Sequence, residues 1–380
     1  MATKTFTSQL IKKAMAGFFL LTVLLTSCKK NDALVQTESQ AGNETELVNA
    51  ARSLEQTAAQ SAAKEASTLG LTDLEQSNRS GNRNIVEIAI SNSNFSSLVA
   101  AVVKTGLAGA LSDASANLTV FAPVNSAFAQ LPAPFNNAAN IAAINDPAQI
   151  DFLRNVLLYH VLGAEVFSQQ ISGGRSAATT IKPSGTSNDN SIYFSKTFGL
   201  IRINGQSNVI LANVNASNGV IHVINKVLLF PTSNIAQVVI GNPNFSSLLA
   251  ALVKTNLASV FTGEGNFTVF APTNAAFAKL PAPFNSAANI ANISDPAQVA
   301  ALSNILRYHV TGSRYFAWDL GILSKIETLA DAPSKKVTTI LGYNTGWVKG
   351  KGNSNFSSIN PADVLTTNGV VHVIGDVLLP

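Results

Sequence analysis

Histidine is the side chain most often used for acid–base chemistry or metal binding near neutral pH, and this chain of 380 residues contains four. His160 and His309 each follow a Tyr, whereas His222 and His372 each lie within a run of Val and Ile. The members of each pair stand about 150 positions apart. Matched positions of this kind could supply metal ligands, general bases or hydrogen bonds in a core.

The surroundings of the histidines argue against metal binding. A metal site needs three or four converging ligands, and neither motif has a carboxylate or Cys beside its His. His222 is flanked by apolar residues on both faces of its strand, a pattern typical of a buried strand with a hydrogen-bonded core His. We therefore predict that His222 and His372 are structural, and we expect no metal and no cofactor.

Known catalytic motifs are also missing from the sequence. It has no Gly-x-Ser-x-Gly elbow, no phosphate-binding loop and no His-Glu-x-x-His motif. Carboxylates are sparse, and none is repeated near a His. We predict a protein that is not an enzyme.

The histidines are positioned by a long internal repeat. The stretch NGVIHVINKVLLFP, Asn218 to Pro231, returns as NGVVHVIGDVLLP, Asn368 to Pro380. Each copy predicts an Asn-Gly turn followed by a strand. The repeats begin at Asn84 and Asn234, which predicts domain 1 over 84–231 and domain 2 over 234–380. Because only Thr232 and Ser233 separate them, we expect the domains to touch and to move little against each other.

Three further elements are predicted in each copy. An amphipathic helix is indicated by apolar residues at helical spacing, with Asn94 and Asn244 as N-caps. A strand that runs into a helix follows at Thr119–Phe128 and Thr268–Phe277, with Asn125 and Asn274 as caps. Asp146-Pro147 and Asp295-Pro296 open another helix. The stripe of the amphipathic helix consists of Phe95, Leu98, Val99, Val102 and Val103, and in the second copy of Phe245, Leu248, Leu249, Leu252 and Val253.

These motifs resemble the fasciclin (FAS1) domain. The resemblance rests on Thr-Val-Phe-Ala-Pro-x-Asn-x-Ala-Phe, Tyr-His and Asn-Gly-Val-x-His-Val-Ile, in that order in both copies. It implies an α/β (α+β) fold: two tandem domains, each a wedge-shaped β-sandwich with helices along one edge. It also implies adhesion or matrix binding outside the cell. The family usually has Asp after His-Val-Ile, where this chain has Asn225 and Gly375, so no role that needs that carboxylate is expected.

The resemblance also suggests a binding region. In fasciclin domains the Tyr-His region is associated with receptor binding, which makes Tyr159, His160, Tyr308 and His309 candidate partner-binding residues. The alternative is that Tyr and His form a hydrogen bond inside the core.

The N-terminus resembles that of a bacterial lipoprotein. Lys12 and Lys13 precede an apolar run of Ala14 to Leu25, and Leu25-Thr26-Ser27-Cys28 is similar to a lipobox. This predicts a signal peptide over 1–27 and lipidation of Cys28, the only Cys in the chain. A thiol blocked by lipid could not act as a nucleophile. Residues 28–83 are polar and lack aromatic residues, which predicts a flexible tether.

A lipidated Cys28 would make the membrane the first partner of the protein. Several acyl chains, at about 0.8 kcal/mol per buried CH₂, anchor a protein stably. The expected location is the bacterial cell envelope. We expect a lipid anchor in the outer membrane, with the domains facing the periplasm or the exterior. Loss of Lys4, Lys12 and Lys13 with the signal peptide would reduce the formal charge from +4 to about +1, so we expect no nucleic-acid partner.

An aromatic cluster distinguishes domain 2 from domain 1. Both Trp residues of the chain lie there, between the Tyr-His motif and the closing strand. Aromatic side chains concentrate at binding hot spots and can stack on sugars, although they could equally fill a differently packed core. The cluster motivates an alternative function, a carbohydrate-binding accessory of an outer-membrane uptake system. Its candidate residues are Tyr315, Trp318, Tyr343 and Trp347.

Overall fold

The computed structural model of the chain describes residues 44–71, 73–74, 82–185, 189–197, 199–331, 335–341 and 345–380. The predicted signal peptide, Cys28 and Tyr343 lie outside the described residues. In the described part of the chain, no single helix is long and apolar enough to cross a membrane; one sharply bent pair, Ile235–Gly241 with Pro243–Lys254, meets the length and composition criteria.

A long helix, α1 (Glu44–Thr68), precedes domain 1. The helices of domain 1 are α2 (Ile85–Ile90), α3 (Ser96–Thr105), α4 (Ala108–Ser112), α5 (Asn125–Phe128), α6 (Ala138–Ala142) and α7 (Pro147–Leu158). Its strands are β1 (Leu118–Pro123), β2 (Val161–Leu162), β3 (Gly174–Thr179), β4 (Ser191–Thr197), β5 (Leu200–Ile203), β6 (Ser207–Ala216) and β7 (Gly219–Ile224).

Domain 2 repeats this order. Its helices are α8 (Ile235–Gly241), α9 (Ser246–Lys254), α10 (Asn274–Phe277), α11 (Ala287–Ala291) and α12 (Pro296–Tyr308). Its strands are β8 (Phe267–Pro272), β9 (Val310–Thr311), β10 (Ile322–Glu327), β11 (Lys336–Leu341), β12 (Gly346–Lys349), β13 (Ser357–Ile359), β14 (Val364–Thr366) and β15 (Gly369–Ile374).

The closing strand of each repeat lies inside its sheet. In domain 1 the strand order is β2-β1-β7-β6-β5-β4-β3, and β7 runs parallel to β1 with His222 opposite Phe121. In domain 2, β15 runs parallel to β8 with His372 opposite Phe270. Every residue of β7 and β15 is buried. A strand covered on both faces explains the continuous Val/Ile run of the repeated motif.

Each sheet curls so that each domain has two apolar layers. In domain 1, Phe121 of β1 packs with Phe194 of β4 and Ile203 of β5 in a core between the two halves of the sheet. The other face of β1 and β7 packs against the helices through residues such as Phe95 and Leu98. Domain 2 is built in the same way. The predicted α/β fold of two tandem domains, with a sandwich-like sheet and helices along one side, is confirmed.

The Asn of each Asn-Gly turn ties three segments together. Asn218 is 2% exposed, its Oδ1 accepts a hydrogen bond from Ile85 N (3.0 Å), and its Nδ2 donates to Leu111 O and Asp113 O. Asn368 makes the matching three bonds in domain 2. Gly219 has φ +145, and a Cβ there would lie 2.0 Å from Leu118 O. The motif therefore needs Asn for its bonds and Gly for the close approach of β1.

Several predicted caps differ from the structure. Asp146 and Asp295 do cap their helices, accepting from Ala148 N and Ala297 N. Asn94 caps nothing, because the helix is entered through a 3-10 turn that Asn92 caps. The equivalent prediction for Asn244 is wrong for the same reason.

Asn125 also has a role other than the predicted one. It does not cap α5; its Oδ1 accepts from Ser97 N at the start of α3 (2.9 Å), and its Nδ2 donates to Ser93 O. Asn274 does the same with Ser247 and Pro243. A long-range contact thus takes the place of the local cap that the sequence suggests.

The amphipathic stripe is narrower than predicted. Leu98 and Val102 of α3 are buried, but Val103 is 67% exposed, and its counterpart Val253 in α9 is 61% exposed. Successive side chains point about 100° apart around a helix, and in α3 the direction of Val102 is covered whereas that of Val103 is open to solvent.

Helix α1 contradicts the prediction of a flexible tether over the whole of 28–83. Its buried face is Leu47, Val48, Ala51, Ala58, Ala62 and Ala66. The helix lies against β6 of domain 1 and against β10 and β11 of domain 2. A helix of this composition would be marginal alone, but it gains apolar partners from both domains at once. The sequence did not reveal those partners.

Candidate functional site

His222 and His372 are core residues in this structure. His222 is fully buried, its Nδ1 accepts from Asn213 N (3.2 Å), and its Nε2 donates to Val166 O (2.9 Å). His372 is bound in the same way between Asp363 N and Tyr315 O. Burial lowers the pKa of both rings, to about 4 for His372. With both nitrogens occupied and the rings neutral, neither side chain is available as a ligand or base.

His160 and His309 use the opposite tautomer. His160 Nδ1 donates to Val156 O (2.6 Å), and its Nε2 accepts from Leu228 N (2.9 Å). His309 makes the equivalent bonds to Ile305 O and Leu378 N. Burial lowers the pKa of each ring to about 4. These histidines hold the segment after the closing strand against the helix that ends in Tyr-His.

Tyr159 and Tyr308 are also fully buried. Tyr159 Oη donates to Ser191 O (2.6 Å) and accepts from Asn204 Nδ2 (3.1 Å), and burial raises its pKa. Tyr308 Oη donates to Lys336 O (2.7 Å) and accepts from Lys351 N. The alternative prediction, a hydrogen bond between Tyr and His inside the core, is therefore wrong. Both are in the core with separate partners, and contact between any of the four side chains and a partner would require the domain to open.

The aromatic cluster of domain 2 faces the rest of the protein. Trp318 is 2% exposed and belongs to the apolar cluster that includes α1 and domain 1, and the half-buried Trp347 packs against that cluster. Tyr315 is half-buried, and the Arg175 guanidinium of domain 1 lies 3.8 Å from its ring centre. These three candidate residues are thus used within the chain.

Three Arg–aromatic pairs lie in the domain–domain contact. Besides Arg175 over Tyr315, Arg314 of domain 2 lies 4.3 Å from the ring centre of Tyr193, and Arg202 of domain 1 lies 5.0 Å from that of Trp318. Arg175 Nη1 also donates to Arg314 O (2.7 Å). Cation–π pairs contribute about 0.5–1 kcal/mol at exposed sites and about 2 kcal/mol when removed from water. Arg202 and Trp318 are both buried, whereas Arg175 is exposed, so the Arg202–Trp318 pair should contribute most to holding the two domains together.

A turn of domain 1 completes the contact. Gln206 Nε2 donates to Asp363 O of domain 2 (3.0 Å). Gly205 has φ +71, and a Cβ on it would lie 2.6 Å from the Asp363 carboxyl and from the Phe316 ring. Only Gly fits at this point.

Helix α1 is fixed to domain 1 by polar bonds as well. Asn225 Nδ2 donates to Glu65 Oε2 (2.9 Å), and Asn94 Nδ2 donates to Leu69 O just beyond the helix (2.8 Å). Asn225 stands where fasciclin domains usually have Asp. A carboxylate there would meet the Glu65 carboxylate, so this departure from the family pattern suits the docked helix.

A cavity of about 930 Å³ lies where α1 meets both domains. Its lining includes Arg52 of α1, Arg175 and Thr197 of domain 1, and Trp318 and Asp319 of domain 2. Among the described residues there is no group of three or more His, Cys, Asp or Glu that could hold a metal ion.

The comparisons with known proteins agree with this architecture. The model of the fasciclin domain family matches residues 93–230 and 243–380. The chain belongs to the fasciclin domain family.

Its relatives come from distant organisms. Transforming growth factor-beta-induced protein ig-h3 of Sus scrofa is 30% identical over 264 residues, covering 70% of this chain and 35% of that protein. Protein sll1483 of Synechocystis is 40% identical over 147 residues, 39% of this chain and 73% of that protein. A solved FAS1 domain pair of the insect cell adhesion molecule Fasciclin I is 19% identical, with a TM-score of 0.35 over 74% of this chain and 95% of that one. The chain spans about a third of the length of the ig-h3 protein.

Sequence reasoning missed most of the domain–domain contact. No sequence pattern points to the residues of this contact that lie outside the repeated motifs: Arg175, Tyr193, Arg202, Gly205 and Asp363. A signal was nevertheless present: in domain 2, Arg314, Tyr315 and Trp318 replace Glu165, Val166 and Gln169 at equivalent positions of domain 1. Such a local change within a repeat marks a surface with a new neighbour.

Proposed function

We propose that the protein is a lipid-anchored, extracytoplasmic adhesion protein that binds protein surfaces through its paired fasciclin domains and performs no catalysis. Fasciclin domain proteins are generally non-catalytic adhesion proteins found outside the cell or at its surface. The use of all four histidines in core hydrogen bonds supports a binding role over a chemical one.

One repeated surface feature carries the proposal. Ile90 at the end of α2 and Val103 in α3 are 64% and 67% exposed. Their counterparts Ile240 and Val253 in domain 2 are 65% and 61% exposed. A single exposed apolar residue is ordinary, but the same pair on neighbouring helices of both domains favours two equivalent contact surfaces. We call these four residues the repeated apolar pair.

Aliphatic side chains of this kind favour a protein partner over a glycan. The carbohydrate alternative depended on an aromatic platform in domain 2, since sugars stack on aromatic faces. Trp318 is buried, and the Arg175 guanidinium lies over the ring of the half-buried Tyr315, which leaves less aromatic surface for a glycan.

Cell aggregation tests the adhesive role. Cells that display the full-length anchored protein are mixed with sibling cells that lack it, and co-aggregates are counted. The double variant Val103→Ser, Val253→Ser should lose most of the co-aggregation while keeping wild-type circular dichroism. Val260→Ser changes an exposed apolar residue outside the repeated apolar pair and should have no effect. Unchanged co-aggregation in the double variant would refute this surface.

The anchor is tested separately. Cys28→Ala should abolish metabolic lipid labelling and release the protein from membranes. Retention of both label and membrane association in this variant would contradict lipidation at Cys28. Protease treatment of intact cells then distinguishes an outward-facing protein, which is cleaved, from one that faces the periplasm.

A further inference from the structure

A buried carboxyl group with one unbonded oxygen lies in the contact between the two domains. Asp363 of domain 2 is 1% exposed. Its Oδ1 accepts from Ala317 N (2.6 Å), whereas its Oδ2 is buried and has no hydrogen-bond partner among the described residues. Buried carboxylates normally have all their oxygens bonded, so this group is in an unusual state.

Domain 1 forms the lid over this carboxyl. The Gly205 turn sits directly against it, and Gln206 Nε2 holds the backbone oxygen of the same residue (3.0 Å). If the domains moved apart here, Asp363 would be exposed to water. Its ionisation is therefore coupled to the domain–domain contact rather than to the fold of domain 2 alone.

Four other ionisable groups lie around this carboxyl, and three of them act on its charge. Arg202 and Lys226, both from domain 1, favour its ionised form, and Asp319 of domain 2 opposes it. His372 Nδ1 lies 3.9 Å from Oδ1 but already accepts the Asp363 N–H, and burial keeps the pKa of that ring at about 4, so it is neutral above this pH. Burial outweighs the hydrogen bond from Ala317 N and the two cations, and it raises the pKa of Asp363 to about 7.

We propose that Asp363 makes the contact between the two domains pH-sensitive, so that the domains are held most tightly when its carboxyl is protonated and loosen when it ionises. The direction follows from linkage. A carboxyl whose pKa is higher in the closed state than in water stabilises the closed state fully below its ordinary pKa of 3.8. That stabilisation is lost as the pH rises from there to about 7.

Domain 1 contains a natural control for this device. Asn213 occupies the equivalent position: its φ is +61 against +60 for Asp363, and its N–H donates to His222 as that of Asp363 does to His372. Its Oδ1 accepts from Ser168 N as that of Asp363 does from Ala317 N. The backbone site thus accommodates a neutral amide, and Asp363→Asn should fold.

Hydrogen exchange of the full-length protein in detergent tests the proposal. Peptides covering 204–207 and 317–320 report on the contact, and a peptide covering β7 reports on global unfolding. The wild type is compared with Asp363→Asn at each pH from about 5 to about 8. Because intrinsic amide exchange depends on pH equally in both proteins, this dependence cancels in the ratio of their exchange rates. The ratio of wild-type to variant exchange in the contact peptides should rise by up to about tenfold per pH unit until it levels off near pH 7.

The matched variant is Asn213→Asp, which places the same carboxyl at the half-buried site of domain 1. In this variant, hydrogen exchange in the contact peptides should depend on pH as it does in the wild type. The proposal is overturned if the ratio of wild type to Asp363→Asn is the same at every pH. It is also overturned if the β7 peptide changes in parallel, since the carboxyl would then act on folding rather than on the domain contact.

Discussion

The segment after the Tyr-His motif has the same backbone in both domains but carries different side chains. In domain 1, Val166 N is held by the Thr119 hydroxyl at 2.8 Å; in domain 2, Tyr315 N is held by the Thr268 hydroxyl at the same distance. Along this backbone, Arg, Tyr and Trp of domain 2 replace Glu, Val and Gln of domain 1. The replacements fall on the segment that meets the neighbouring domain.

This difference shows how one fold can pair with a copy of itself without symmetry. Domain 2 contributes the segment 314–319 to the contact, whereas domain 1 contributes the turn that carries Gly205 and Arg175 of β3. Such a contact joins two different faces of the same fold. The shared motifs build the domains, and the residues that differ join them.

The largest loss of stability is expected at Asn218 and Asn368, which make the same hydrogen bonds in both domains. Asn218→Ala or Asn368→Ala removes three hydrogen bonds and leaves buried backbone groups without partners, which should lower the free energy of unfolding by about 3 kcal/mol or more. Urea denaturation measures it, with the exposed Asn292→Ala as the control. A loss in only one of the two domains would show that their scaffolds are not equivalent.

A smaller effect is expected at the domain contact. Gly205→Ala places a methyl group against Asp363 and Phe316 at a positive φ, and should weaken the contact by about 2 kcal/mol. Gly106→Ala has the same backbone strain, with φ +72, but no atom within 4 Å of the new Cβ. The difference between the two variants in exchange of the contact peptides therefore isolates the clash. Equal behaviour would mean that the Gly205 turn does not press against domain 2.

The third variant restores the family's usual residue. Asn225→Asp keeps an acceptor for Asn208 N but replaces the donor to Glu65 with a second carboxylate. It should make α1 more accessible to protease by weakening its docking by about 1 kcal/mol. Gly375→Asp, which places Asp at the equivalent position of domain 2, should leave α1 as protected as in the wild type. Equal protection of α1 in Asn225→Asp would contradict the docking role of this bond.

Acid should destabilise both domains through their core histidines. The pKa of His160, His309 and His372 is lowered to about 4 in the folded state, so the unfolded chain binds more protons between pH 6.5 and 4. Stability is complete above pH 6.5 and falls as the pH drops, by up to about 1.4 kcal/mol per pH unit for each ring. This direction is opposite to that expected for the Asp363 contact. Unfolding free energies that stay constant from pH 7 to pH 4 would contradict it.

The repeated motifs were enough to predict the domains but not their neighbours. The fold was implied by the resemblance of the repeated motifs to the fasciclin domain, and the structural role of His222 followed from the apolar residues on both faces of its strand. The position of α1 could not be predicted, since its small Ala-rich face acquires meaning only when two domains flank it. The role of Asn125 was missed for a similar reason: a local cap and a contact with another helix look alike in sequence.

The candidate binding residues show the same limit. The family resemblance suggests Tyr159 as a binding residue and the residue type suggests Trp318, but neither indicates which way a side chain faces. The structure buries both. The exposed Val103 was instead assigned to the core, because helical periodicity does not show where neighbouring helices stop.

The two domains form one unit, and a distance between them tests this most directly. Spin labels at Ala129→Cys and Ala278→Cys, two exposed and equivalent positions, are introduced into a Cys28→Ala chain and measured by double electron–electron resonance at about pH 6, where Asp363 is largely protonated. One narrow distance distribution is expected. A broad distribution, as from two domains moving independently on a linker, would contradict the account.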